Sequence, residues 1–180
     1  MLWIFSAERI SNIKRCFNTH NIIDGMFTIT LLEPQIPPNT GNIARLCAAT
    51  NTKLDIVGKI GFELTDRYLK RAGLDYWEYV NWEYFPDTSE YMSKMLESDI
   101  HLLTTKVEPR YSDSNFKDGD YIIFGSETKG IDEFYLKKYQ SRCRTIPMVK
   151  TGVRSLNLSS SVAAVLYEAL RQTNWATLNH

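Results

Sequence analysis

Phe27-Thr-Ile-Thr-Leu-Leu32 runs directly into Glu33-Pro-Gln-Ile-Pro-Pro-Asn39-Thr-Gly41-Asn42-Ile-Ala-Arg45, and the join between the two decides the fold. The first six residues are apolar or β-branched, the composition of a strand. Three prolines then stiffen the exit from it. The pattern predicts a helix over Asn42–Thr50, with Asn39 or Thr40 as its cap and Gly41 allowing a tight approach. Arg45 is then expected in the first turns of that helix, facing the carboxyl edge of the sheet, where open α/β sheets bind ligands. An ordinary strand-to-helix connection with a solvated arginine has the same pattern.

Working outward, strand-like runs recur with helical stretches between them. Leu54–Val57, Ile100–Thr105 and Tyr121–Phe124 read as strands, Tyr79–Trp82 as an edge strand and Cys143–Ile146 as one more. Helices are predicted at Asp66–Ala72, Thr88–Leu96 and Glu133–Tyr139, and the longest at Asn157–Gln172. On that last segment Leu158, Val162, Val165, Leu166 and Ala169 share one face. Such alternation predicts an α/β fold, a mostly parallel sheet with helices on both faces.

Composition narrows the class. With 180 residues, 43% of them hydrophobic, the chain can bury one substantial core, and 12% aromatic content excludes a disordered chain. Lys+Arg and Asp+Glu both total 21, so any nucleic-acid surface must come from local clustering of basic side chains or from two chains together. Cys16, Cys47 and Cys143 are odd in number and far apart, and His20, His101 and His180 are equally scattered. This predicts a reduced, cytoplasmic protein without a metal site. No apolar run approaches the roughly 18 residues that span a bilayer. Leu2-Trp3-Ile4-Phe5 is too short for a signal peptide. Residues 1–25 are expected to be an N-terminal extension, and residues 26–176 the functional domain.

Two later loops carry chemistry. Phe124-Gly125-Ser126-Glu127-Thr128-Lys129-Gly130-Ile131 is a Gly-rich turn after a buried strand. A phosphate-binding P-loop needs Lys and Ser/Thr after its last glycine, and Ile131 and Asp132 stand there instead. Glu127 would repel a triphosphate, so the turn suits a neutral or cationic ligand. The other is Ile146-Pro-Met148-Val-Lys-Thr-Gly-Val-Arg154-Ser155-Leu156-Asn157-Leu158-Ser159. Ser155 and Asn157 stand where the last helix begins and can cap it or meet a ligand. Either loop alone is also compatible with a plain connection.

Taken together, Asn39-x-Gly-Asn-x-x-Arg45, Phe124-Gly-x-Glu-Thr-Lys-Gly130 and Ile146-Pro-Met…Arg154-Ser-Leu-Asn-Leu-Ser159 resemble the SPOUT methyltransferases. Within them they resemble the YibK-like group, which methylates the 2'-hydroxyl of the tRNA wobble nucleotide. Arg71–Tyr76 and Leu103–Lys106 are similar to that group as well, and the resemblance runs from about Met26 to Trp175.

The resemblance implies a C-terminal trefoil knot, a homodimer and S-adenosylmethionine as cofactor. By the same resemblance Leu103, Gly125, Ile146, Met148, Ser155 and Leu156 hold the cofactor, with Gly125 permitting close backbone approach. Arg45 is the catalytic candidate, acting as a bidentate phosphate clamp rather than a base, because guanidinium stays protonated. Arg45, Lys129 and Arg154 are the candidate RNA contacts. The implied substrate is the wobble cytidine or 5-carboxymethylaminomethyluridine in the anticodon stem-loop of tRNA-Leu isoacceptors. A related enzyme for another tRNA or rRNA position, a non-catalytic RNA-binding module and a nucleotide-binding protein are the competing readings.

Overall fold

The computed structural model describes residues 27–62, 77–149, 152–175 and 178. The predicted helix at Asp66–Ala72 and the matched residues Arg71–Tyr76 lie outside them. In chain order the elements are β1 (Thr28–Leu32), α1 (Pro37–Ala49), β2 (Lys53–Val57), β3 (Trp82–Phe85), α2 (Thr88–Ser93), β4 (Ile100–Leu103), β5 (Tyr121–Phe124), α3 (Glu133–Lys138), β6 (Cys143–Arg144) and α4 (Leu158–Gln172). The strands form one sheet in the order β3-β2-β1-β5-β4-β6, and every pairing in it is parallel. All six carboxyl ends therefore share one edge.

Each face has its own core. Ile29, Leu31, Leu54 and Ile56 pack with Ile43, Ala44 and Cys47 of α1 and with Val162, Val165, Leu166 and Ala169 of α4. On the other face Leu32, Val57, Ile100, Leu102 and Ile123 meet Tyr91 and Met92 of α2, with Tyr135 and Leu136 of α3 packed against them. Side chains alternate between the faces of a strand, so strands apolar throughout demand a helical layer on each side. The predicted parallel sheet with helices on both faces is the observed one.

Several boundaries differ from the sequence reading. Helix α2 ends at Ser93 rather than Leu96, where the Lys94 amide closes the last turn on Tyr91, and β4 ends at Leu103 rather than Thr105, since its partner β5 ends at Phe124. Helix α1 begins at Pro37, five residues before the expected Asn42, and Ile36 rather than Asn39 or Thr40 is its N-cap. Pro37 and Pro38 explain this, since proline lacks an N–H that the first helical turn leaves unpaired anyway and its φ is already helical. The edge strand is Trp82–Phe85, not Tyr79–Trp82, because Trp77–Tyr79 closes a 3-10 turn instead. The final strand stops at Arg144, short of Ile146. The long helix is as expected: Asn157 caps α4, its side chain accepting from the amides of Ser159 and Ser160.

Candidate functional site

The candidate site lies at the carboxyl edge. Leu103 ends β4, and its register partners are Phe124 of β5 on one side and Arg144 of β6 on the other. Gly125 follows the first partner directly, and Ile146 lies two residues beyond the second. Parallel pairing thus brings three of the proposed cofactor residues, distant in sequence, to adjacent strand ends. Leu103 is buried, while Gly125, Ile146 and Met148 are half-buried. Ser155 and Leu156 are exposed on the approach to α4.

A chain of hydrogen bonds joins the loops at this edge. The Glu127 carboxylate accepts from the backbone amides of Gln35 (2.9 Å) and Ile36 (3.2 Å) and from Asn39 Nδ2 (3.0 Å). Asn39 is buried in the first turn of α1. Its other amide atom, Oδ1, accepts from Asn157 Nδ2 at 2.8 Å. Asn157 Oδ1 in turn accepts from the amide and the hydroxyl of Ser159. The loop after β1, the turn after β5 and the start of α4 are held as one unit.

This network gives Glu127 a structural role beside the electrostatic one expected from the sequence. Its carboxylate is engaged by the Gln35 and Ile36 amides just ahead of α1 and by the Asn39 side chain, which ties the turn after β5 to the loop after β1. Asn39 is likewise a bridge between loops and not a helix cap. Their placement in turns flanked by glycine or proline was the available signal, but a single sequence does not show which distant loop each one meets.

Gly125 also has a different reason to be glycine. A Cβ built there would collide with the backbone of Gly130 and Ile131. The space that a side chain would fill is occupied by the protein's own turn. That turn is closed by Gly130 N donating to Ser126 O (2.9 Å) and by Lys129 N donating to Ser126 Oγ (3.2 Å). Gly130 has φ +72°, which favours glycine. A side chain at position 125 thus disturbs the turn before it reaches any ligand.

Arg45, Lys129 and Arg154 are all exposed. Because α1 starts early, Arg45 lies in its third turn rather than its first. That is about 12 Å along the axis from Pro37 at 1.5 Å per residue. The buried His101 is not available for proton transfer at this edge. It is the second residue of β4, and its Nε2 lies 2.9 Å from Asp120 Oδ2.

The edge has the chemistry to hold an adenosyl sulfonium. Leu103, Ile146, Met148 and Leu156 offer apolar surface for a base, and Leu156 (42%), Val153 (62%) and Val149 (78%) are unusually exposed for such side chains. Among the described residues no three His, Cys, Asp or Glu groups are placed to hold a metal ion, and no helix is long and apolar enough to cross a membrane.

Comparison with known proteins gives consistent results. The SpoU rRNA Methylase family matches residues 26–167. The tRNA (cytidine(34)-2'-O)-methyltransferase of Methylovorus glucosotrophus is 45% identical over 152 residues, which are 84% of this chain and 98% of that protein. The protein of the same name from Burkholderia pseudomallei is 38% identical, over 83% of this chain and 97% of its own. A solved structure concerned with the 2-OH methylation of C/U34 on tRNA superposes with a TM-score of 0.76 at 34% identity. That match covers 83% of this chain and 97% of the other.

Proposed function

Because the chain belongs to the SpoU rRNA Methylase family, whose methyl donor is S-adenosylmethionine, we propose that it methylates the ribose 2'-hydroxyl of nucleotide 34, the wobble position of tRNA. The observation that carries this is the hydrogen-bonded unit of Glu127, Asn39 and Asn157, which ties all three motif loops to one edge beside Leu103, Gly125 and Ile146. The relatives named for cytidine 34, and the structure concerned with C/U34, supply the substrate.

In this reading Leu103, Gly125, Ile146, Met148, Ser155 and Leu156 hold the cofactor. Gly125 contributes through the shape of its turn. The bound cofactor supplies a methyl group activated by its positively charged sulfur. The protein's task is then to position the hydroxyl in line and to tolerate negative charge developing on it. Arg45 is assigned the clamp on the adjacent phosphate, where a planar fork grips two oxygens. The proton leaves to a phosphate oxygen or water. Lys129 and Arg154 contact the RNA backbone of the anticodon stem-loop.

We also place a trefoil knot at the C-terminal end. Support comes from the match to the SpoU rRNA Methylase family over residues 26–167, which include the motif loops whose resemblance implies the knot. The protein acts in the cytoplasm as a homodimer, in which two neutral chains combine their basic side chains on one RNA surface. Residues 1–25 are an extension outside the catalytic domain, residues 26–176. Their deletion should leave turnover unchanged, and loss of RNA binding by a folded truncation would make them part of the RNA site.

The decisive experiment is methyl transfer to total tRNA from cells lacking the modification, followed by nucleoside mapping. A 2'-O-methylated wobble nucleotide is the expected product. Methylation confined to ribosomal RNA, or to another tRNA position, would overturn the substrate assignment.

A further inference from the structure

Phe134 is 64% exposed at the start of α3, the helix that follows β5 and therefore begins at the carboxyl edge. Only Ile131, Asp132 and Glu133 separate it from the turn that ends at Gly130. Its ring meets that of Tyr135 edge-on, with centroids 5.3 Å apart at 76°, which leaves most of the phenyl surface in solvent. The Asp132 carboxylate accepts from the Phe134 amide at 2.8 Å, so the backbone carrying the ring is fixed.

Lysines on three segments flank this ring. Lys106, on the loop after β4, reaches across to the first residue of α3, Glu133, with Nζ 3.3 Å from Oε1. Lys137 and Lys138 stand three and four residues further along α3, on the side of the helix that carries Phe134, and both are exposed. Lys129 is exposed in the preceding turn. Asp132, Glu133 and Asp87 are the acidic residues near this pair of rings, the first engaged as the helix cap, the second in the pair with Lys106 and the third capping α2. Lys138 Nζ lies over the Tyr139 ring, 4.8 Å from its centroid, which leaves Lys106, Lys129 and Lys137 on the three segments that flank the exposed phenyl. An exposed ring flanked by lysines is a combination that suits single-stranded RNA: a face for an unstacked base, and cations for the phosphates on either side of it.

We infer that Phe134 is a base-stacking platform for an unpaired nucleotide of the RNA substrate next to the one that is methylated, with Lys106, Lys129 and Lys137 meeting the neighbouring phosphates. The inference rests on the proposed function and adds to it a recognition residue outside the three motifs. Stacking tolerates any base, so this contact strengthens binding to an open loop without selecting its sequence.

The test uses the full chain and a synthetic anticodon stem-loop carrying 2-aminopurine beside the target nucleotide. Wild-type protein should quench the 2-aminopurine on binding. Phe134→Ala should weaken RNA binding by roughly 5- to 150-fold, the range expected for one stacked base, and should lose the quenching. Phe134→Trp should preserve both and Phe134→Leu neither. S-adenosylmethionine affinity and melting temperature should stay at wild-type values in all three, because the ring is largely solvated. Wild-type binding and quenching by Phe134→Ala would overturn the inference. So would a change in oligomeric mass that alone accounts for the lost RNA affinity. Wild-type protein that methylates no tRNA would instead defeat the functional reading itself, whereas tRNA methylation by the wild type together with undiminished RNA affinity in Phe134→Ala defeats this inference only.

Discussion

Glu127 and Asp55 are both acidic side chains drawn into polar clusters, one at the carboxyl edge and one beneath α2. Glu127 gathers partners from a loop about 90 residues away, and through Asn39 it reaches Asn157. Asp55, only 1% exposed, sits in the middle of β2 within the second core. It accepts from Tyr91 Oη at 2.8 Å, and that hydroxyl is also 2.9 Å from Thr30 Oγ1. Lys53 Nζ lies 3.1 Å from its other oxygen. The first cluster joins loops that carry the candidate chemistry, and the second joins a helix to the sheet. A buried polar network fixes geometry wherever it lies, and what that geometry serves depends on which elements it connects. Variants in the two clusters should therefore separate activity from stability.

The largest effect is expected from the helix that the edge cluster positions. Arg45→Ala should reduce methyl transfer by about 10²- to 10³-fold, the usual loss for one donor to developing charge. Cofactor affinity by calorimetry should hardly change. Arg45→Lys should rescue poorly, since a point charge does not replace a planar fork. Near-normal single-turnover rates for Arg45→Ala would leave the arginine a solvated side chain and the edge without a catalytic group.

Next comes the bridge itself. Asn39→Ala cuts the link between Glu127, which keeps the Gln35 and Ile36 amides, and Asn157, whose exposed amide turns to water. Losing two hydrogen bonds that register the three loops, one of them to a charged acceptor, is worth about 1–3 kcal/mol, so methyl transfer should fall by about one to two orders of magnitude. Asn39→Asp should also fail, because a carboxylate cannot donate to Glu127. If Asn39→Ala lowers the melting temperature yet keeps full turnover at saturating substrates, the edge cluster serves stability alone and the contrast with Asp55 disappears.

How much of this was legible in the sequence follows from the range of each interaction. The alternation of strand and helix, the α4 cap at Asn157 and the residues of the three loops are local patterns, and they were readable. The start of α1 was readable too, because Pro37 and Pro38 mark a first helical turn; the polar residues Asn39 and Thr40 drew the boundary inward instead. The partners of Glu127 were not readable, because the contact spans about 90 residues and no periodicity encodes it. Asp55 offered a faint signal: a carboxylate inside the apolar run Leu54–Val57 must be paired or neutral. Nothing local pointed to Tyr91, which comes from a helix that crosses the other face. Gly125 stands out in the sequence as a glycine that lets backbone approach closely, and the backbone it makes room for in the fold is that of its own turn.

On the fold side of the contrast, Tyr91→Phe removes the hydroxyl shared by Asp55 and Thr30 while keeping the ring in the core. A loss of about 1–3 kcal/mol in unfolding free energy is expected, read by chemical denaturation. Turnover at saturating RNA and cofactor should match wild type. A stable Tyr91→Phe protein with reduced turnover would link the core cluster to the site and contradict the separation.

The smallest effect tests whether Asp55 is held charged against its surroundings. Burial pushes its pKa above the ordinary 3.8, and the attraction of Lys53 and the Tyr91 hydrogen bond only partly offset this. Between 3.8 and the raised value the folded protein holds a proton that the unfolded chain has released. This contribution to stability is fully present below 3.8 and is lost as pH rises through the folded pKa. Asp55→Asn keeps the shape and an acceptor for Tyr91 but cannot titrate. The stability of wild type relative to Asp55→Asn should therefore decline with rising pH across that window, by at most about 1.4 kcal/mol per pH unit. Above the window the difference should level off. Denaturation curves for the two proteins, compared at each pH, isolate this residue from the other carboxylates. A difference that grows in favour of wild type as pH rises would mean that Lys53 and Tyr91 outweigh burial. Asp55 would then be a stabilising ion pair, much as Glu127 is a satisfied acceptor at the edge.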